Sequence, residues 1–321
     1  DAGRTWLLVL LFTCASTQAA EQGVKELSPG RLLLTSGEIA VGIGPAPTKI
    51  ERVLIIIHGR QRNAETYRQT AERAAEQAGQ SATTLVIAPQ FLNESDIALH
   101  PVADSVLRWQ GNDWMAGGVS TAPFNLSAYA ALDEVVARIG DRLQFPDVKQ
   151  VVIVGHSGGA QVVQRYALLG HDQPELKAAG VQVRYVVANP SSYAYFDERR
   201  PVAFSHAGCP DFNRWKYGLA DLPAYAEGRT PAQLKESYAQ RDIVYLLGQQ
   251  DTDPNHPALD KRCEAKAQGP NRLARGRYYF EYLKRLYPQG MSQQLIEVPG
   301  VGHDGDGMFN SPEGQKALFG Q

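Results

Sequence analysis

Short apolar runs rich in β-branched residues recur along the chain, and glycine or proline follows each run within two residues. They fall at residues 53–57, 85–88, 151–154, 185–188, 243–247 and 295–298. Because neighbouring positions are both apolar, with Glu297 as the exception, these runs predict strands buried on both faces, as in a parallel sheet covered by helices. Two earlier segments, 31–34 and 38–41, are predicted to be antiparallel strands at the start of the same sheet.

Helix-like stretches separate these runs, and they cover residues 64–78, 127–143, 161–169 and 273–286. Strands that alternate with helices predict an α/β fold with a doubly wound, mostly parallel sheet, formed by one domain of residues 21–321. Residues 191–229 interrupt the alternation with a long segment rich in proline, glycine and aromatic residues. Connections of this length are usually binding loops or covers, so we expect a lid-like insertion after the sixth strand.

The first twenty residues have a different pattern from the rest. Arg4 precedes an apolar run at 6–12, and small and polar residues follow as far as Ala20. The run is too short to span a bilayer, and the pattern is typical of a secretory signal peptide. We therefore expect a secreted or periplasmic protein. Cys209 and Cys263 would remain after cleavage, and in an oxidising compartment they are expected to be bridged, the alternative being two separate buried thiols.

Charge and composition exclude several classes of protein. The chain has 32 basic and 34 acidic residues, a net charge of −2, which argues against a protein whose main partner is nucleic acid. No Cys/His spacing typical of zinc occurs, the acidic pairs at 251/253 and 304/306 lack the rest of an EF-hand loop, and no phosphate-binding loop is complete. We expect no metal and no cofactor.

The strongest chemical signal is Gly-His-Ser-Gly-Gly at residues 155–159, a G-x-S-x-G sequence between a predicted buried strand and a predicted helix. A strand-to-helix turn this tight requires glycines and exposes the Ser157 hydroxyl at the carboxyl end of the sheet. The first N–H of the following helix, that of Gly158, would then point at a developing oxyanion.

This motif in this context resembles the α/β-hydrolase superfamily, and the resemblance extends over nearly all of residues 21–321. It implies a triad in the order Ser, acid, His, with the last two on loops after late strands. Asp251 follows the run at 243–247, and His303 follows the run at 295–298. The resemblance thus implies Ser157 as nucleophile, His303 as general base and acid, and Asp251 as the orienting carboxylate, with Asp253 as the alternative acid.

Three further segments bear on substrate binding. His58-Gly59-Arg60 is similar to the H-G-x element of lipases and esterases, which implies the Arg60 N–H as second oxyanion donor and leaves its side chain to meet substrate. Trp109 and Trp114 belong to an aromatic loop that is either a substrate platform or a surface loop fixed by its tryptophans. Basic and aromatic residues alternate in the insertion, which fits either binding of an acidic or polymeric substrate or a solvated rim.

These features predict a secreted serine hydrolase that cleaves an ester or amide bond. The G-H-S-G-G motif on an exported chain is similar to bacterial esterases and depolymerases, a set that includes polyhydroxyalkanoate depolymerases and poly(aspartic acid) hydrolases. The alternatives are a peptidase or amidase on the same scaffold, polyaspartate hydrolysis included, and a binding protein that has kept the fold without catalysis.

Overall fold

An eight-stranded sheet forms the centre of the computed structural model, which describes residues 22–320; the predicted signal peptide lies outside them. The strands are β1 (Gly30–Leu34), β2 (Gly37–Ile43), β3 (Arg52–Ile57), β4 (Thr84–Gln90), β7 (Gln150–His156), β8 (Gln182–Ala188), β9 (Asp242–Gly248) and β10 (Gln293–Val298). Their order in the sheet is β1-β2-β4-β3-β7-β8-β9-β10. The pairs β1–β2 and β2–β4 are antiparallel, and every later pair is parallel. Two short strands, β5 (Leu92–Asn93) and β6 (Arg108–Trp109), pair outside this sheet.

Helices cover both faces of the sheet. One face carries α1 (Ala64–Gln77), α9 (Gly305–Phe309) and α10 (Pro312–Phe319), which pack on strand residues such as Leu54 and Val152. The other face carries α3 (Ala128–Ile139), α4 (Gly158–Leu169), α6 (Pro231–Gln240) and α8 (Arg272–Leu286), which pack on residues such as Ile55 and Ile153. Shorter helices occur at α2 (Glu94–Leu99), α5 (Pro174–Ala178) and α7 (Cys263–Lys266), with 3-10 turns at Asp113–Ala116 and Ala224–Ala226.

The predicted fold class is confirmed: the sheet is mostly parallel, its first two strands are antiparallel to their neighbours, and helices lie on both sides. All eight predicted strands are present. The helix predicted at 127–143 is too long, because the observed helix ends at Ile139 with Gly140 as its C-cap. No helix in the described part of the chain is long and apolar enough to cross a membrane.

Residues 191–229 follow β8, the sixth strand of the central sheet, and contain no α-helix and no sheet strand. Side-chain contacts fix the segment to the body of the protein. The buried Arg165 of α4 donates to the backbone oxygens of Ser192 (3.0 Å) and Lys216 (2.8 Å). A disulfide joins Cys209 to Cys263 at the start of α7, with the Cα atoms 5.9 Å apart. The structure thus contains the expected bridge, while a lid role for this segment stays a prediction.

Candidate active site

Ser157, Asp251 and His303 lie together at the carboxyl edge of the parallel strands. Ser157 directly follows β7, Asp251 lies three residues beyond β9, and His303 lies five residues beyond β10. Because these strands are parallel, their ends meet at one edge of the sheet. Residues nearly 150 positions apart in the sequence therefore come within hydrogen-bond distance.

The turn at Ser157 has the strained backbone that exposes a nucleophile. Its φ of 58° and ψ of −119° place a non-glycine residue in a rarely populated conformation. A Cβ on Gly159 would lie 2.7 Å from the carbonyl oxygen of His58 and closer still to that of Ile57. Glycine at this position therefore lets α4 start directly against the end of β3, which leaves the Ser157 hydroxyl at the surface of the site.

His303 connects the serine to the carboxylate. Its Nε2 lies 3.0 Å from Ser157 Oγ, and its Nδ1 lies 2.8 Å from Asp251 Oδ2. An Nδ1–H that donates to the carboxylate leaves Nε2 free to accept the serine proton. The alternative acid, Asp253, is exposed and accepts a hydrogen bond from the Asn255 N–H at 2.8 Å, so Asp251 is the carboxylate in contact with the imidazole.

Asn189, at the end of β8, fixes the loops that carry the acid and the histidine. Its Oδ1 accepts a hydrogen bond from Gly248 N at 2.9 Å, and its Nδ2 donates to the Gly302 carbonyl at 3.3 Å. Its backbone is left-handed, with a φ of 52°, a conformation that asparagine tolerates better than most residues. The side chain thus connects the ends of β8 and β9 to the residue that precedes His303.

Two further histidines lie near the site and have structural partners. His156 Nε2 lies 3.2 Å from Asn189 Nδ2, its Nδ1 lies 3.1 Å from the Tyr67 hydroxyl oxygen, and burial lowers its pKa well below the usual value. His58 Nε2 accepts from the Phe91 N–H at 2.9 Å, and burial lowers its pKa to about 4. Both rings are therefore neutral packing groups whose nitrogens are already in use.

The backbone amides of Arg60 and Gly158 lie side by side next to the serine. A Cβ on Gly158 would lie 3.0 Å from Arg60 N, which measures how closely the two main chains approach. Gly158 is the first residue of α4, so its N–H has no acceptor within the helix. Neither amide donates to another group of residues 22–320. The role of these two amides as oxyanion donors stays a prediction.

Ser157 lies in the wall of a cavity of about 590 Å³. The wall contains two acidic side chains, Asp113 and Asp260. It also contains four basic side chains, those of Arg60, Lys216, Lys261 and Arg262. Four positive charges and two negative ones give the wall a net charge of +2, although the whole chain carries −2. The cavity therefore attracts negatively charged molecules.

Lys216 supplies a positive charge close to the serine. Its Nζ donates to Gln161 Oε1 at 2.9 Å, and no carboxylate of the described chain lies within 4.0 Å of it. Burial, with a smaller contribution from Arg165, lowers the pKa of Lys216 to about 8. The ammonium group is thus charged at neutral pH, and Asp260 is the acid that acts on it, without a direct ion pair.

Of the two interpretations of the loop that carries Trp109 and Trp114, the structure favours a loop fixed by its tryptophans over a substrate platform. Both side chains have 0% exposure, Trp109 donates from Nε1 to the Gly118 carbonyl at 3.0 Å, and Trp114 stacks on Phe91 with centroids 5.5 Å apart. The two buried tryptophans therefore fix the loop to the protein interior. Their neighbours Asn112, Asp113 and Met115 reach the cavity wall instead.

Sequence reasoning missed two residues beside the triad, Arg272 and His256. Arg272 Nη1 donates to Asp251 Oδ1 at 3.2 Å, and the His256 ring lies 4.9 Å from that of His303. His256 belongs to the segment between β9 and α8 that also carries Asp251, and Arg272 is the first residue of α8. Their position in the sequence after β9 was the one feature that could have identified them as neighbours of the triad.

Two other features are separate from this site. A cavity of about 710 Å³, lined by residues 22–26 and 60–66, shares Arg60 with the site but does not reach Ser157. Within residues 22–320, potential metal ligands cluster at Cys209, Cys263 and Glu264, but the two sulfurs are joined in the disulfide. They are therefore not thiolate ligands.

Comparison with known proteins agrees with this architecture. Residues 54–315 match the model of the alpha/beta hydrolase family, and the chain belongs to that family. The fold resembles poly(aspartic acid) hydrolase-1 from Sphingomonas sp. KT-1, with 25% identity and a TM-score of 0.64 over 93% of this chain and 99% of that one. It also resembles a poly(3-hydroxybutyrate) depolymerase from Bordetella parapertussis, with 26% identity and a TM-score of 0.61 over 86% of both chains. A comparison with curated protein sequences gave no match.

Proposed function

We propose that this hydrolase cleaves an ester or amide bond through an acyl-enzyme on Ser157. The observation that carries the proposal is the continuous hydrogen-bonded series Ser157–His303–Asp251, with its serine on a strained strand-to-helix turn. Unpartnered serines in glycine-rich turns are common, but a hydroxyl 3.0 Å from an imidazole that a buried carboxylate orients is the arrangement nucleophilic catalysis needs.

The proposed order of steps follows from the distances between Ser157, His303 and Asp251. Ser157 Oγ attacks the substrate carbonyl carbon while His303 Nε2 takes the hydroxyl proton, and the Asp251 carboxylate stabilises the imidazolium through Nδ1. The carbonyl oxygen becomes an anion, which the amides of Arg60 and Gly158 bind. His303 then returns the proton to the leaving group as the carbon–leaving-group bond breaks. A water molecule attacks the acyl-enzyme by the same route and frees the acid and the serine.

We further propose that the substrate is acidic and polymeric, with carboxylates near the bond that is cleaved. The support is the net charge of +2 on the cavity wall and the ammonium group of Lys216, which forms no direct ion pair with a carboxylate of the described residues. The poly(aspartic acid) hydrolase that this chain resembles is named for a substrate of this class. A neutral polyester is the second candidate, favoured by the likeness to the poly(3-hydroxybutyrate) depolymerase.

We also propose that the protein acts outside the cytoplasm. The Cys209–Cys263 disulfide suits an oxidising compartment, and the pattern of residues 1–20 is typical of an export signal.

Labelling with a fluorophosphonate probe tests the mechanism. We expect one equivalent of probe to attach to the wild-type protein, with peptide mapping placing it on Ser157, because the probe reacts with serines activated by a base. The triad also predicts that His303→Ala abolishes labelling. A folded wild-type protein that takes up no probe would instead indicate a binding protein with a hydrolase fold.

Replacement of Lys216 by methionine tests the acidic substrate. We expect the KM for polyaspartate at pH 7 to rise about tenfold, because a charge-assisted contact is lost, while the kcat and KM for a neutral p-nitrophenyl ester change less than twofold. Since the lowered pKa of about 8 means that the charge is present below that pH and lost above it, the wild-type KM for polyaspartate should rise between pH 7 and 9. The variant should show no such rise.

The matched control is Lys177→Met, which removes an exposed lysine of α5 far from the cavity wall. It should leave the KM for polyaspartate unchanged. An equal rise in both variants would mean that overall charge, and not Lys216, attracts the substrate. Efficient hydrolysis of a neutral polyester with no cleavage of polyaspartate would favour the second candidate.

A further inference from the structure

Asp251 uses its two carboxylate oxygens for two different cations. Oδ2 lies 2.8 Å from His303 Nδ1, and Oδ1 accepts a hydrogen bond from Arg272 Nη1 at 3.2 Å. The side chains of Arg272 and Asp251 are 1% and 3% exposed, so water screens their interaction very little. One negative charge is thus shared between a guanidinium that is always charged and an imidazole that is charged only during the reaction.

Further contacts hold Arg272 in place. It is the first residue of α8, its Nε donates to Ser191 Oγ at 3.3 Å, and its Nη2 lies 3.4 Å from His256 Nδ1. The N–H of the next residue, Leu273, donates to the backbone oxygen of Asp251 at 3.1 Å. The N-terminus of α8 is therefore attached to both the side chain and the main chain of the triad acid, and its helix dipole adds positive potential there.

We propose that Arg272 is a positioning residue of the active site, which holds the Asp251 carboxylate with Oδ2 towards His303 and extends activity to lower pH. The inference rests on the proposed serine-hydrolase mechanism. A carboxylate with one free oxygen can rotate, whereas Oδ1 fixed by Arg272 leaves Oδ2 in one place. The charge of Arg272 has an effect separate from its positioning of the carboxylate. A fixed cation beside Asp251 opposes the formation of a second positive charge, the imidazolium of His303, next to the same carboxylate.

The acid limb of the pH profile is the readout that separates these effects. Two further histidines face His303, namely His156 from the end of β7 and His256 from the loop after β9, with ring distances of 4.7 and 4.9 Å. Burial lowers the pKa of both rings, and the charge of Arg272 lowers that of His256 further. The other charged or titratable groups around these rings are Asp251, Asp253, Arg272, Asp304 and Tyr67. The limb of kcat/KM reports the essential base of the free enzyme, which in the proposed mechanism is His303.

The experiment compares Arg272→Gln and Arg272→Lys with the wild type on a neutral p-nitrophenyl ester. Glutamine keeps an N–H donor for Asp251 but removes the charge, so we expect the acid limb to move up by about one pH unit. Lysine keeps the charge but loses the planar fork, so its limb should stay within about 0.3 pH unit of the wild type while kcat on the plateau falls about tenfold. KM should change less than twofold in both.

Arg275→Met is the matched control. Arg275 belongs to the same helix and is equally buried, but it donates to the backbone oxygens of Gly269, Ser191 and Asp260 and has no contact with Asp251. Titration with a fluorophosphonate gives the concentration of active protein. Because kcat is calculated from this concentration, loss of folded protein does not lower it. The control should keep the wild-type limb.

An unmoved limb in Arg272→Gln, or an equal shift in Arg275→Met, would overturn the inference and leave the proposed mechanism intact. If the glutamine variant does not fold, a limb in Arg272→Lys that moves by about one pH unit would overturn it as well. Failure of the wild-type protein to take up the probe would contradict the mechanism itself, so the two failures are distinguishable.

Discussion

Ser157→Ala is expected to lower kcat by at least about 10⁴-fold. Without Oγ no acyl-enzyme forms, and what remains is binding and oxyanion stabilisation. The hydroxyl has one side-chain contact, 3.0 Å to His303 Nε2, so its loss should not weaken the fold. Steady-state kinetics on a p-nitrophenyl ester measure the first effect, and a urea titration measures the second.

Ser191→Ala is the matched control for this prediction. Ser191 also lies in the cavity wall, but its Oγ accepts a hydrogen bond from Arg272 and does not contact His303. We expect kcat to fall no more than about fivefold. Residual kcat above about 1% in Ser157→Ala, with the protein folded, would mean that another group is the nucleophile.

The parts of this architecture that follow from local sequence could be predicted. Strands buried on both faces need uninterrupted apolar runs, and such runs are found in five of the six parallel strands; the exception is the edge strand β10, which contains Glu297 and is mostly half-buried. The turn at Ser157 is only partly local, because Gly155 is required by the nearby backbone of Gly159 and Ala160, whereas Gly159 is required by the approach of the main chain at Ile57 and His58. The positions of Asp251 and His303 follow from one further fact, that parallel strands end at the same edge of the sheet.

Contacts that depend on the path of a long loop could not be predicted. Arg272 meets Asp251 only because residues 252–271 fold back so that α8 begins beside the end of β9. In the sequence it is one of several arginines in that region, without a distinguishing neighbour. His256 is similar, since its distance from a strand end gives no indication that its ring packs 4.9 Å from that of His303.

The role of the tryptophans could not be decided from the sequence, for a different physical reason. An aromatic residue in a loop near a site contributes equally well to binding when its ring is exposed and to stability when its ring is buried. Trp114 is buried because its ring stacks on Phe91 and packs edge-on against His58, with ring centroids 5.5 and 4.7 Å away. Those partners come from the loops after β3 and β4, and the loop sequence around Trp114 does not specify them.

Gly159→Ala is expected to cost at least about 4 kcal/mol of unfolding free energy, the largest effect on stability, measured as a shift of the urea midpoint. The new Cβ would lie 2.7 Å from the His58 carbonyl oxygen and closer still to that of Ile57. Both atoms belong to main chain at the end of a central strand, so neither can move without displacing α4 from the sheet. This cost far exceeds the gain of about 0.4–1 kcal/mol that alanine brings by restricting the unfolded chain.

Alanine variants of two other glycines serve as references for the size of this loss in unfolding free energy. In Gly158→Ala the nearest atom is the terminal methyl carbon of Met115 at 2.9 Å, which is the end of a flexible side chain, so the loss should be smaller. In Gly208→Ala the site is exposed and the nearest atom, Ser205 Oγ, lies 3.4 Å away, so the change should stay within about 1 kcal/mol. A Gly159→Ala variant as stable as Gly208→Ala would contradict the close approach of α4 to β3, and with it the strained turn on which the exposure of Ser157 depends.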